Sequence, residues 1–214
     1  SLIKAMDIYV AEYNAEADCF ENAVNVSESE NYEYSASAVA ENGEFAVFWV
    51  DVSEDGASYS IKKWQDGAVS VFRDSLGNIS GVEAKDMNTV SYICDTDGDI
   101  YTTNDMSVFT ASGSEDVLFE KYNAEDLTAY NQMAYGKLDG EATLYVSDGY
   151  GIYYCENGET AVAAMPDGVI SNLMATENAV IWTQTTDEGN ELWYSRYNGD
   201  TWEIPVMISD AGEM

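Results

Sequence analysis

The sequence contains no histidine and few basic residues, and these two shortages exclude several classes of function. Its 214 residues include 8 Lys+Arg against 40 Asp+Glu, which gives a formal net charge of −32. Without histidine there is no Ser-His-Asp or Cys-His catalytic pair and no histidine-ligated zinc. Because so large a negative charge repels phosphate groups, binding to nucleic acid is excluded as well.

Long apolar runs and a cysteine framework are also absent from the sequence. No run of about 18 apolar residues occurs, so no transmembrane segment is predicted. No basic region followed by an apolar region opens the sequence, so no signal peptide is expected within it. Cys19, Cys94 and Cys155 are too few for a dense disulfide framework, and they form either three free thiols or one disulfide with one thiol left over.

The residues that are present predict a folded domain with an acidic surface. The hydrophobic fraction is 46%, and the aromatic residues comprise 5 Trp, 16 Tyr and 6 Phe. Disordered acidic chains have few aromatic and β-branched residues. This composition is instead sufficient to bury a core.

A repeat of about 44 residues organises the chain. The segments 44–64 and 177–197 align at a constant offset of three such repeats, which places Trp49 on Trp182 and Lys63 on Arg196. Further copies of the pattern occupy 89–105 and 142–158. Each copy has an apolar run, a turn rich in Asp and Gly, and a second aromatic run.

A fifth, partial copy opens the chain at 6–27 and matches the end of the last copy. Tyr13-Asn14 falls on Tyr197-Asn198, and Phe20 falls on Trp202. The partial copy therefore corresponds to the two outer strands of a repeat.

The pattern within each copy predicts short antiparallel strands. Apolar residues occupy both alternating sets of positions along 45–50, which is typical of strands covered on two faces. Turn sequences such as DTDGD, QDG and YNGD recur about every 8 to 12 residues. Each repeat therefore holds about four strands, and a radial array of four-stranded sheets is a β-propeller. A β-sandwich of similar length is the alternative, but it gives no reason for copies in register.

The predicted propeller is one domain, 1–214, of four to five blades. Its segments are a half blade at 6–27, blades at about 35–73, 81–111, 131–165 and 170–209, and an insertion at 112–127. The insertion is expected to form a short helix or an extra strand. Since the inner half of the opening blade has no counterpart in the sequence, three explanations stay open: a piece of a larger ring, a ring with an incomplete blade, or a partner that supplies the strands.

The stretch Ser195-Arg-Tyr-Asn-Gly-Asp-Thr-Trp202 resembles the Asp-box turn of sialidase-like propellers, SxDxGxTW. Ser195, Gly199, Thr201 and Trp202 match, whereas Tyr197 stands in the place of the Asp. The resemblance implies a structural, non-catalytic turn between the third and fourth strands of a blade. It also implies that sialidase activity, which uses three arginines, is absent, because the chain has only two.

Acidic turns on one predicted face are the candidate binding residues. In a propeller, the turns between second and third strands share a face, and acids there attract cations or a basic partner. The candidate ligand-binding residues are Glu54, Asp55, Asp148, Tyr150, Asp187 and Glu188. Asp95, Asp97 and Asp99 alternate as carboxylates do in a calcium loop, so this turn is either a Ca²⁺ site or a simple hairpin turn.

These features favour a non-catalytic binding module of an exported or cell-surface bacterial protein, with a protein or carbohydrate ligand and with further domains in a longer chain. One alternative is a glycosidase-like enzyme that uses two carboxylates on inner strands. The carboxylates considered for that role are Glu41, Glu83, Asp86 and Glu177. Another alternative is a propeller that controls access to a separate catalytic domain.

Overall fold

The computed structural model describes residues 6–95, 106–112, 115–118, 131–156, 159–187 and 189–209, which form β-strands and no helix. The strands are β1 (Tyr9–Asn14), β2 (Cys19–Asn25), β3 (Tyr32–Glu41), β4 (Glu44–Val52), β5 (Tyr59–Gln65), β6 (Ala68–Leu76), β7 (Ile79–Asp86), β8 (Thr89–Asp95), β9 (Met106–Ser112), β10 (Glu115–Leu118), β11 (Gln132–Leu138), β12 (Glu141–Ser147), β13 (Ile152–Glu156), β14 (Glu159–Ala164), β15 (Val169–Thr176), β16 (Ala179–Thr186), β17 (Gly189–Arg196) and β18 (Val206–Ser209). None of the described residues belongs to a helix long and apolar enough to cross a membrane.

The strands form four four-stranded sheets and one two-stranded sheet, as the repeat predicted. Strands β3–β6, β7–β10, β11–β14 and β15–β18 each form a sheet in chain order, and β1 and β2 form a two-stranded sheet. The fourth strand of the second sheet, β10, lies within the segment 112–127 that the sequence assigned to an insertion. Residues 113, 114 and 119–130 lie outside the described residues.

The chain divides into two compact units. One comprises Ser1–Ile100 with Ala111–Gly113, and the other comprises Tyr101–Thr110 with Ser114–Met214. In the first unit the core includes Trp49, Ile61 and Ile79, and in the second it includes Trp182. Both faces of β4 are buried from Ala46 to Val52, which explains why its sequence is apolar at successive positions.

Tight turns join the first two strands of several sheets, and their sequences explain their geometry. Asn42-Gly43 and Asp139-Gly140 both adopt positive φ at the two positions, 52° and 85° in the first turn and 50° and 85° in the second. Two successive positive φ angles are typical of the type I′ hairpin turn, which favours Asn-Gly and Asp-Gly.

Neighbouring sheets in each unit are joined by hydrogen bonds near their first strands. In the first unit the amides of Val82 and Ala84 donate to the hydroxyls of Ser35 and Ser37, at 3.0 and 2.9 Å. In the second unit β11 approaches the end of β15 so closely that a Cβ on Gly136 would lie 2.6 Å from the carbonyl oxygen of Thr176. Glycine at this position allows the two first strands to lie side by side.

The constant offset between the first and last four-stranded sheets holds for the second strand and shifts at the third. Trp49 and Trp182 are both buried, at 1% and 0% exposure. However, Ala46 pairs with Gln65, whereas Ala179 pairs with Arg196. Arg196 therefore corresponds to Gln65 and not to Lys63, because the turn between β4 and β5 is longer than the turn between β16 and β17.

Candidate functional site

An apolar groove adjoins the opening hairpin, which we define as β1, β2 and their connecting turn. The groove has a volume of about 580 Å³, and most of its lining residues are apolar. One wall consists of the hairpin residues Val10 and Val24, which are cross-strand partners. The opposite wall includes Val39, Phe45 and Trp64, contributed by β3, β4 and β5.

Phe45 and Trp64 form an aromatic pair in this groove. Their ring centroids lie 5.0 Å apart at an interplanar angle of 47°, and Phe45 is 42% exposed. Phe45 is exposed and Trp64 is half-buried, so part of this aromatic surface is accessible to solvent.

One acidic side chain lines the groove. It is that of Glu12, whose carboxylate accepts a hydrogen bond of 3.2 Å from Nδ2 of Asn22 across the hairpin. Glu41 and Glu44, both exposed, flank the turn next to Ala40 and Phe45. Because successive side chains of a strand alternate between its faces, these two carboxylates lie on the opposite face from Ala40 and Phe45. The groove therefore combines apolar walls with a single carboxylate.

The acidic turns that the sequence singled out are distributed over the two units. Glu54 and Asp55 lie in the β4–β5 turn of the first unit, and both are exposed. The Asp55 carboxylate accepts hydrogen bonds from the Ser53 hydroxyl, at 2.6 Å, and from the Ala57 amide, at 3.0 Å. The hydrogen bond from Ser53, followed by that from the Ala57 amide, lowers the pKa of Asp55. Asp55 thus stabilises its own turn, and Glu54 is the side chain that projects from it.

Asp148 and Tyr150 lie in the β12–β13 turn of the second unit. As in the β4–β5 turn, one side chain stabilises the turn and the other projects from it. The Asp148 carboxylate accepts hydrogen bonds from the amides of Tyr150 and Gly151, at 2.9 and 2.8 Å, and from the Tyr153 hydroxyl, at 3.1 Å. Tyr150 is 59% exposed. Asp148 therefore orders the turn, and Tyr150 presents its ring to solvent.

Asp187 lies at the same end of the second unit as that turn. The carbonyl of Gly149 accepts a hydrogen bond of 2.8 Å from the Ile170 amide, and Ile170 pairs with Gln184 on the strand that leads to Asp187. Asp187 is exposed. Glu188, its predicted neighbour in the site, lies outside the described residues.

Of the three carboxylates in the predicted calcium turn, only that of Asp95 belongs to the described residues. Asp95 ends β8, is 4% exposed, and donates its amide to the carbonyl of Asn78 at 2.9 Å. Asp97 and Asp99 lie outside the described residues. Over the described ranges, no group of three or more carboxylate and thiol side chains is placed to hold a metal ion.

The three cysteines are free thiols. Cys19 and Cys155 are exposed, whereas Cys94 is buried and its thiol donates to the carbonyl of Asp95 at 3.4 Å. Burial raises the pKa of the Cys94 thiol, which disfavours a reactive thiolate.

The Asp-box-like turn lies between β17 and β18, the third and fourth strands of their sheet. Ser195 is buried and its hydroxyl donates to the carbonyl of Glu203 at 2.8 Å. Asn198 accepts hydrogen bonds from the amides of Asp200 and Thr201, both at 3.0 Å. These contacts stabilise the turn.

Two buried carboxylates were not predicted from the sequence. Glu33 on β3 and Asp51 on β4 are directly opposite each other and are 1% and 6% exposed. The sequence prediction began this strand at residue 35, two residues beyond Glu33, and therefore considered Glu41 instead. A signal was available, because Asp51 is a charged residue within the apolar run EFAVFWVDV.

Comparisons with known proteins identify the fold. The β-propeller domain of the Trilobed protease from Pyrococcus furiosus, described as having an open velcro topology, is similar to this chain with a TM-score of 0.52 at 13% identity. The similarity covers 92% of this chain and 57% of that domain, so this chain spans a little over half of its length. The catalytic domain of the Coprinopsis cinerea GH62 α-L-arabinofuranosidase is also similar, with a TM-score of 0.40, 10% identity, and coverage of 80% of this chain and 67% of that one. No family model and no curated protein matches the sequence.

The four-stranded antiparallel sheets and the similarity to the propeller domain of the Trilobed protease show that the chain has a β-propeller fold. The predicted fold class is confirmed.

Proposed function

We propose that this chain is a non-catalytic binding module that takes up an extended segment of a partner protein in the groove beside its opening hairpin. One observation carries the proposal: the apolar groove adjoins β1, which pairs with β2 and with no other strand among the described residues. A strand edge of this kind offers main-chain hydrogen bonds to an added strand, and adjacent pockets select its side chains.

The repeat indicates what kind of segment fits. In the last sheet β17 is the counterpart of β1, and it pairs along its whole length with β16, from Ala179↔Arg196 to Thr186↔Gly189. The sequence of β16, AVIWTQTT, has apolar and aromatic residues in its first half. A segment with this character would place apolar side chains against Val10, Phe45 and Trp64.

Charge favours a basic partner over a second copy of this chain. Glu12 in the groove and the net charge of −32 attract lysine or arginine on either side of the apolar segment. A second copy would bring another net charge of −32 to the same surface. Like-charge repulsion of this size disfavours self-association.

The glycosidase alternative receives less support from the geometry. Such an enzyme needs two carboxylates that contact its substrate. Among the described residues, Glu33 and Asp51 are opposite each other but are too deeply buried to contact a sugar. The exposed groove is the feature better suited to a ligand.

The proposal is tested with a synthetic peptide that carries the β16 sequence between pairs of lysines. We expect it to bind with a Kd of about 10 μM, measured by titration calorimetry. Phe45→Ala should weaken binding about tenfold, because it removes half of the aromatic pair. Ile204→Ala is the matched control, since Ile204 is 87% exposed and lies outside the groove.

Two modified peptides test the mode of binding. A version methylated on alternate backbone nitrogens should not bind, because strand addition requires those N–H groups. A version with glutamates in place of the lysines should bind at least about tenfold more weakly. The proposal is contradicted if the methylated peptide binds as tightly as the unmethylated one. It is also contradicted if the chain forms a dimer and binds none of the three peptides.

A further inference from the structure

Glu33 and Asp51, which do not line the groove, place two carboxylates next to each other in a buried position. In antiparallel sheets, side chains directly opposite each other lie on the same face, with their Cβ atoms about 4.5–5.5 Å apart. Two carboxylates at this separation, nearly removed from water, repel each other strongly unless cations or hydrogen-bond donors compensate them.

Asp51 has several such partners. Its carboxylate accepts hydrogen bonds of 3.1 and 3.2 Å from Nδ2 of Asn31, and one of 3.2 Å from the hydroxyl of Ser60. The ammonium group of Lys62 lies 3.8 Å from Oδ1. The Lys62 side chain is 25% exposed, so its charge is shared with solvent.

Glu33 is much less well compensated. Oε1 accepts one hydrogen bond, of 2.5 Å, from the Ser29 hydroxyl. Oε2 is buried and has no hydrogen-bond partner among the residues that the structure describes. Within that part of the chain, the pair therefore has two carboxylates, one ammonium group on the side of Asp51, and a buried carboxylate oxygen without a donor.

We propose that Glu33 and Asp51 hold a calcium ion. Hard cations bind oxygen ligands, and Ca²⁺ accepts six to eight of them in flexible geometry. The hydroxyls of Ser29 and Ser60 are neutral oxygens beside the carboxylates. Asn31 presents Nδ2 to Asp51, and rotation of its side-chain amide would bring its oxygen to the ion instead. Mg²⁺ suits this site less well, because it keeps several waters and demands near-ideal octahedral geometry.

This site differs from the turn at Asp95, Asp97 and Asp99 that the sequence suggested, so the test must separate them. Metal-free protein is heated with and without CaCl₂ and with EDTA. At a calcium concentration about 100 times the Kd we expect Tm to rise by roughly 5–10 °C. Glu33→Gln should abolish the rise, whereas Asp97→Ala and the exposed-turn control Asp55→Asn should retain it.

Lys62→Gln distinguishes a metal site from an ordinary ion pair. Because Lys62 competes with the metal for Asp51, the variant should bind Ca²⁺ several-fold more tightly. A variant that loses stability and is not restored by Ca²⁺ contradicts the proposal, since Lys62 would then be the required partner.

A direct measurement of metal binding to the unmodified chain tests the proposal even if Glu33→Gln does not fold. Terbium luminescence, sensitised by Tyr32 and Tyr34 on either side of Glu33, should rise on titration of the unmodified chain and fall when Ca²⁺ is added. Absence of any Ca²⁺ or Tb³⁺ binding overturns the proposal. A calcium response that Asp97→Ala removes and Glu33→Gln or Asp51→Asn retains also overturns it.

Discussion

The opening hairpin and the hairpin formed by β17 and β18, here called the closing hairpin, have the same local geometry and opposite surroundings. Tyr13 pairs with Phe20 across the first, and Tyr197 pairs with Trp202 across the second. The ring centroids of the two pairs lie 5.4 and 5.6 Å apart. Yet Trp202 also packs against Tyr145 of the adjacent sheet, at 5.8 Å, whereas Phe20 is 73% exposed.

The turns of the two hairpins are also stabilised alike. Asn14 accepts hydrogen bonds from the amides of Glu16 and Ala17, at 3.0 and 3.1 Å. Asn198 accepts the equivalent pair in the closing hairpin. The difference between the hairpins therefore lies in what covers them: a sequence repeat specifies the hairpin, and a neighbouring sheet provides the burial.

The largest expected difference concerns the two aromatic residues. Trp202→Ala should destabilise its unit by about 3 kcal/mol, since a large side chain packed against other rings is removed. Phe20→Ala should change stability by less than about 0.5 kcal/mol, because its ring is mostly in solvent. Urea unfolding followed by circular dichroism measures both. Equal losses would show that the opening hairpin is as well packed as the closing one.

Loss of the turn asparagines should give a smaller difference. Asn198→Ala removes the acceptor for two amides and should lower the free energy of unfolding by about 1 kcal/mol. Asn14→Ala removes the same contacts from a hairpin whose residues are mostly exposed. Its effect should therefore be local: about fivefold faster hydrogen exchange across 9–25, with an unchanged global transition. A reduced global stability for Asn14→Ala would show that the two hairpins are coupled equally to their units.

The sequence predicted the features that depend on local pattern. The alignment of Tyr13 and Phe20 with Tyr197 and Trp202 follows from residue types at short range, and in the structure the two residues of each hairpin are cross-strand partners. So does the equivalence of Trp49 and Trp182, because a buried aromatic at one position of the repeat recurs at the next copy.

Features that depend on loop length or on tertiary contacts were not predicted. Arg196 was aligned with Lys63 because a constant offset ignores a change in turn length. The groove at Phe45 and Trp64 was not anticipated, because a strand sequence does not reveal which face lacks a neighbour. Glu33 was missed because the start of β3 lies before the segment that shows alternation, and such boundaries have weak signals.

The smallest expected effect concerns a hydrogen bond that the opening hairpin makes near its turn. The Tyr13 hydroxyl donates to the Asp18 carboxylate at 2.6 Å, and this bond, more than burial, raises the pKa of Tyr13 above its usual value. Because the folded-state pKa is raised, the stabilisation is fully present below the pKa of an unfolded tyrosine and is lost as the pH rises through the folded-state value. Asp18→Asn should therefore lower the pKa of Tyr13 toward that of a free tyrosine, and NMR titration of ring-labelled tyrosine measures it. Tyr13→Phe identifies the resonance among the tyrosines. Since the bond is exposed, thermal stability at neutral pH should hardly change, and a pKa that stays raised in Asp18→Asn would assign the shift to burial of the hairpin.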